Sequence, residues 1–133
     1  MSSFRDTRAL VVGLGVSGHA AARALQREGA TVFVTDAARD EALEARAAEL
    51  REAGIEVELG GHLLATREFD LAVVSPGIPL HADIVSGLRS RGIELISEIE
   101  LGFRLTRCDI LAVTGTNGKT TTTELLAQML QRA

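Results

Sequence analysis

The sequence contains no Trp and no Tyr, only two Pro and two Met, a single Cys, and four Phe as its whole aromatic complement. Single-stranded nucleic acids stack their bases on aromatic side chains, so this scarcity argues against that class of ligand. With Cys108 as the lone cysteine no internal disulfide can form, which fits a reducing, cytoplasmic setting. Cys108 reads as a small residue entering a strand, since no base is signalled beside it to activate a thiol. Long runs of one charge are missing as well. The net charge of −4 comes from interspersed acids and bases, so there is no basic patch to hold nucleic acid. A single phosphate could still be held by backbone N–H groups. No apolar run approaches the roughly 20 residues of a membrane span, and residues 1–8 lack the apolar stretch of a signal peptide. His19, near the start of a helix, reads as packed or solvent-facing rather than as a donor to a phosphate, and His62 and His81 lie in or beside loops at no metal-like spacing.

What is present is an apolar fraction of 46% built from Ala, Val, Leu and Ile, enough for one core in a chain of 133 residues. Short β-branched runs alternate with helical stretches. Strands are expected at 9–12, 31–35, 55–59, 71–74, 93–96 and 110–113. Helices are expected at about 17–28, 40–52, 81–91, 98–105 and 119–131, with Gly29 and Gly54 as stops. This alternation implies α/β architecture: a Rossmann-like parallel sheet of about five strands with helices on both faces. The only candidate boundary lies near Thr106–Asp109, dividing residues 1–107 from 108–133.

Three loops carry chemistry. Gly13-Leu14-Gly15-Val16-Ser17-Gly18 fits G-x-G-x-x-G between a strand and a helix, where open amides and the helix dipole favour a phosphate. Asp36 ends the second strand, at the place where a dinucleotide enzyme binds ribose hydroxyls. An NAD(P)-binding domain of an oxidoreductase or regulatory protein therefore stands as an alternative. Ser75-Pro76-Gly77 follows the fourth strand on the same rim. It reads equally as a plain turn or as a ligand loop in which Ser75 donates its hydroxyl. Gly115-Thr116-Asn117-Gly118-Lys119-Thr120 ends like a phosphate loop, with Lys119 placed for terminal phosphates and Thr120 for Mg²⁺. The usual spacing puts its first glycine at the position of Val113, and here that glycine is Gly115.

The stretch from Thr114 to Thr121 resembles the ATP loop of the Mur ligases and of the related folylpolyglutamate synthetases. Together with the first glycine loop, Ser75-Pro76-Gly77-Ile78 and Glu98-Ile99-Glu100-Leu101, it is most similar to the Mur ligase branch that joins D-glutamate to UDP-N-acetylmuramoyl-L-alanine. That resemblance implies a cytoplasmic, ATP- and Mg²⁺-dependent ligase of peptidoglycan synthesis. It assigns Leu14, Gly15, Val16, Ser17, Asp36, Ala37, Ser75, Pro76 and Gly77 to the UDP moiety. Gly115, Thr116, Asn117, Gly118, Lys119, Thr120 and Thr121 fall to ATP, with Thr120 on Mg²⁺. Family members often carry Thr-Arg after the aspartate. Here Ala37-Ala38 stand there, with Arg39 one place on as the candidate substitute. The resemblance also implies that residues 108–133 are only the first strand, loop and helix of a truncated ATP-binding domain. No catalytic set would then be complete, and the exposed strand at 110–113 would offer an edge for self-association.

Overall fold

The computed structural model describes residues 4–132. Among them, five strands form one parallel sheet in the order β3-β2-β1-β4-β5. The strands are β1 (Arg8–Val12), β2 (Thr31–Asp36), β3 (Glu56–Leu59), β4 (Leu71–Val74) and β5 (Glu94–Ser97). Helices α1 (Val16–Arg27), α2 (Glu41–Glu52), α3 (Asp83–Ser90), α4 (Glu98–Leu105) and α5 (Lys119–Gln131) lie between or after them.

The central strands are apolar on both faces because both faces are covered. Ala9 and Val11 pack with Ala22, Leu25, Ala47, Leu50 and Leu101 of α1, α2 and α4. Leu10 and Val12 point the other way, into a cluster with Ala65, Phe69 and Leu88 of α3. This is the period-two alternation of a strand between two helical layers. Local signals fix the helix ends. The Asp40 side chain accepts from Leu43 N–H at the start of α2, and Ser97 accepts from Glu100 N–H at the start of α4. Arg104 then binds α4 to β5 through Glu94, 2.7 Å away, and to Glu100 at 2.9 Å. Hydrogen bonds to Glu94 and Glu100 raise its pKa above the ordinary arginine value.

Register places the site. Val12 lies opposite Thr35 on one side and Val74 on the other, so the loops after β1, β2 and β4 emerge on one rim. The chain leaves β1 towards β2 but later returns to β4 on β1's other flank. The rim between β1 and β4 is therefore a topological switch point, where open α/β sheets bind ligands.

Two expectations need correction, and one element is new. No strand forms at residues 110–113: among the described residues, 106–118 hold no regular structure and Ile110 and Leu111 are exposed. A strand needs a ladder partner, and β5 pairs only with β4. The strand edge on which self-association was expected is thus not there, and exposed Cys108 does not enter a strand. Second, the third helix begins at Asp83 rather than His81, because Pro79–Ala82 closes a turn through Ala82 N–H and the Pro79 carbonyl. The new element is a short 3₁₀ turn at Leu63–Thr66; the Glu58 carboxylate accepts from the Leu63 and Leu64 amides at its start. Among the described residues, no helix is long and apolar enough to cross a membrane.

Helix α5 buries none of its residues, whereas Leu50 on α2 is fully buried. Leu50→Ala should therefore cost about 2–5 kcal/mol in urea unfolding. Leu125→Ala on α5 should change stability by less than about 0.5 kcal/mol. A comparable loss at both sites would show that α5 packs on the sheet.

Candidate functional site

The site is organised from the end of β2. The Thr35 carbonyl accepts from Gly13 N–H at 2.8 Å, which seats the glycine loop on the strand. The Asp36 carboxylate holds the next residues: Oδ2 accepts from Leu14 N–H at 2.7 Å and Oδ1 from Ala38 N–H at 2.8 Å. The Asp36 carbonyl accepts from Gly60 and Gly61, bringing in the loop after β3. Thr35, a fully buried polar side chain, donates its hydroxyl to the Gly61 carbonyl at 2.7 Å and lies 2.8 Å from His62 Nδ1. Three loops thus converge on two residues.

The glycines divide the work among themselves. At Gly18 a Cβ would come within 2.0 Å of the Gly13 carbonyl oxygen. At Gly13 it would meet Ser75 at 2.9 Å, on a backbone with φ +101°. Both are demanded by the fold itself. At Gly15 a Cβ would touch nothing within 4 Å, so no internal packing requires glycine there. Gly15 caps α1, whose first turn has no capping side chain and no acidic residue. Its amides and dipole are open to an anion.

A cavity of about 540 Å³ lies on this rim. It brings together the expected residues Gly15, Ser17, Asp36, Ala37, Ser75, Pro76 and Gly77, with Gly13, His62 and Ile78 beside them. Leu14 and Val16 are not brought in. Leu14 is fully buried in the core and its amide is occupied by Asp36, while Val16 is 75% exposed and does not line the cavity. Arg39 does not reach the cavity either; its Nε pairs with Glu44 at 2.7 Å. The expectation that Ser75 donates to a ligand is corrected as well. Its only proton goes to Glu98 Oε1 at 2.5 Å, so towards a ligand Ser75 is an acceptor. His62 was missed. Applying the rule that ligands sit beyond the carboxyl ends of strands to β3, and not only to β1, β2 and β4, leads straight to it.

The second loop stands at the start of α5. Gly118 adopts the left-handed conformation and caps the helix, and Lys119 Nζ donates to the Gly115 carbonyl at 2.9 Å. Gly115, Thr116, Asn117, Gly118, Lys119, Thr120 and Thr121 are all exposed. A lysine folded over a loop at a helix N-terminus suits a phosphate chain. For Mg²⁺ the fit is partial. Thr120 can supply a hydroxyl, but no group of three or more His, Cys, Asp or Glu is gathered for a metal among the described residues.

Both loops match known proteins in place and order. The family described as Mur ligase MurD-like, N-terminal domain, matches residues 7–97. The chain belongs to this family. The Mur ligase middle domain matches residues 113–133. UDP-N-acetylmuramoylalanine–D-glutamate ligase of Acidobacterium capsulatum is 50% identical over 130 residues, covering 97% of this chain and 28% of that protein. The ligase of the same name from Pelodictyon phaeoclathratiforme is 49% identical, covering 92% of this chain and 26% of its own length. The chain thus spans less than a third of these MurD relatives. Among solved structures, a murein peptide ligase from Psychrobacter arcticus superposes with a TM-score of 0.66 at 28% identity, covering 94% of this chain and 26% of that one. Shikimate dehydrogenase from Aquifex aeolicus shares the fold alone, at a TM-score of 0.52 and 17% identity over 82% of this chain and 52% of that one.

The glycine roles can be tested by a pair of variants. Gly18→Ala should lose at least about 2 kcal/mol, because the new methyl meets a backbone oxygen. Gly15→Ala should stay within about 1 kcal/mol of the parent chain in thermal unfolding. Equal destabilisation would remove the distinction between fold-required and ligand-facing glycines.

Proposed function

We propose that this chain carries the UDP-substrate site, and the start of the ATP site, of a cytoplasmic ligase that adds D-glutamate to UDP-N-acetylmuramoyl-L-alanine in peptidoglycan synthesis. The observation that carries this reading is the switch-point cavity, with open amides at Gly15 and the start of α1 on one side and the Ser75–Gly77 loop on the other. A diphosphate fits the amide end. Val16 contributes its backbone at the first turn of α1, and Leu14 acts from behind by holding the loop to Asp36. Asp36, Ala37, Pro76 and Gly77 border the remainder of the ligand.

In the proposed reaction ATP transfers its γ-phosphoryl group to the carboxylate of the substrate's L-alanine, giving an acyl phosphate and ADP. The D-glutamate amine attacks that carbonyl carbon; phosphate leaves with the C–O bond, and the nitrogen loses a proton as the amide forms. From this chain, Lys119 and the backbone at 115–118 orient the ATP phosphates, and Thr121 extends the first turn of α5. Mg²⁺, which neutralises phosphate charge, would take the Thr120 hydroxyl together with oxygen ligands from beyond these residues. The acids and bases that complete catalysis, and the D-glutamate site, belong to the part of such ligases that this chain does not span.

The alternative, an NAD(P) domain, uses the acidic residue at the end of the second strand to bind a ribose hydroxyl. Here the Asp36 carboxylate accepts the Leu14 and Ala38 amides and each oxygen keeps a second lone pair, so the choice between the two ligands rests on titration. Titration with UDP-N-acetylmuramoyl-L-alanine should shift the amide NMR signals of Gly15, Ala37 and Ser75, while NAD should leave them in place. The reverse pattern would favour the dinucleotide reading.

A further inference from the structure

Resting on the UDP-site reading, we propose that His62 selects the base: its Nε2 accepts a hydrogen bond from the imide N–H of uracil, a donor that cytosine lacks. The hydrogen-bond pattern behind the ring leads to this assignment. Thr35 has one hydroxyl proton and is fully buried. The Gly61 carbonyl oxygen, 2.7 Å away, can only accept, so the proton goes there. What Thr35 Oγ1 turns towards His62 Nδ1, at 2.8 Å, is therefore a lone pair, and Nδ1 must carry the hydrogen. A neutral imidazole has one such hydrogen. Nε2, the other ring nitrogen, is then a bare acceptor, and His62 lines the same cavity as Asp36 and Ala37.

An acceptor fixed in this way sets the direction in which a nucleotide lies. Phosphate oxygens would meet the Nε2 lone pair with like charge, so the diphosphate belongs at Gly15 and the start of α1. The base then lies at His62. Uracil offers an N–H at N3; cytosine presents a lone pair at the same position. Sites that hydrogen-bond a particular group reject the analogue lacking it, because a polar partner is left unpaired.

The test is calorimetric titration of the chain with UDP and CDP, before and after His62→Asn, together with ¹⁵N-histidine NMR. Asparagine can keep a donor near Nδ1 for Thr35 and removes the acceptor at Nε2. The unsubstituted chain should prefer UDP by about tenfold, the size of one lost hydrogen bond. His62→Asn should abolish that preference by weakening UDP while leaving CDP unchanged. In the free chain the His62 Nδ1 resonance should be of the protonated type and Nε2 of the unprotonated type, and UDP should shift Nε2. A preference for UDP that survives in folded His62→Asn, a bare Nδ1, or an Nε2 signal unmoved by bound UDP overturns the role of His62 and leaves the UDP site standing. Failure of the unsubstituted chain to bind UDP at all overturns the site reading and this proposal with it.

Discussion

The site depends on the last two residues of β2. A parallel strand ends with carbonyls and side chains facing the rim. Here Thr35 and Asp36 use nearly all of theirs to hold backbone from other loops: Gly13 and Leu14 from one, Ala38 from a second, Gly60 and Gly61 from a third. Charge-assisted bonds from a carboxylate to amides are stronger than neutral ones, so Asp36 anchors the glycine loop more firmly than its own turn could. With that loop fixed, the amides at the head of α1 point outward without needing a ligand to order them. Preorganisation of this kind spares a ligand the cost of ordering the loop when it binds.

The opposite wall is built by another route. Ser75 is held from below by Glu98 and from behind by the Val12 carbonyl, and Glu98 is placed by α4, which Arg104 ties to β5. The close approach of Ser75 to Gly13 is what makes glycine obligatory at that position. The two walls thus meet directly, through the Val12 carbonyl and the close approach of Gly13 to Ser75 and Ile78. The ring of His62 completes the rim from the β3 side, oriented by the hydroxyl of Thr35, which lies next to the residue that anchors the glycine loop.

Much of this was legible in the sequence. Strand and helix periods gave the five paired strands and all five helices to within about two residues, because strongly patterned elements with both faces covered leave little choice. The glycine loop, Asp36 and the Ser75 turn were found by motif, and the rule for open α/β sheets put them on one rim. Other features were not legible, for physical reasons. Whether Asp36 faces a ligand or its own loop depends on where the Leu14 and Ala38 amides point, which no spacing encodes. The direction of the Ser75 proton depends on Glu98, 23 residues away. The apolar run at 110–113 has the composition of a strand, but strand formation is a property of pairs, and no partner lies beside it among the described residues. His62 carries no motif; the rule for strand ends applied to β3 points to its loop, and the ring's orientation follows from the buried hydroxyl of Thr35.

The central claim is that the glycine loop is held by Asp36 before any ligand arrives. Native-state amide hydrogen exchange of the unliganded chain tests it most directly. Leu14 N–H, bonded to the Asp36 carboxylate and carried by a fully buried residue, should exchange slowly, on the scale of the β1 amides. The amide of exposed Gly15, one residue on, should exchange fast. Equally rapid exchange at Leu14 and Gly15 would contradict the account, since the loop would then be ordered by its ligand rather than by β2.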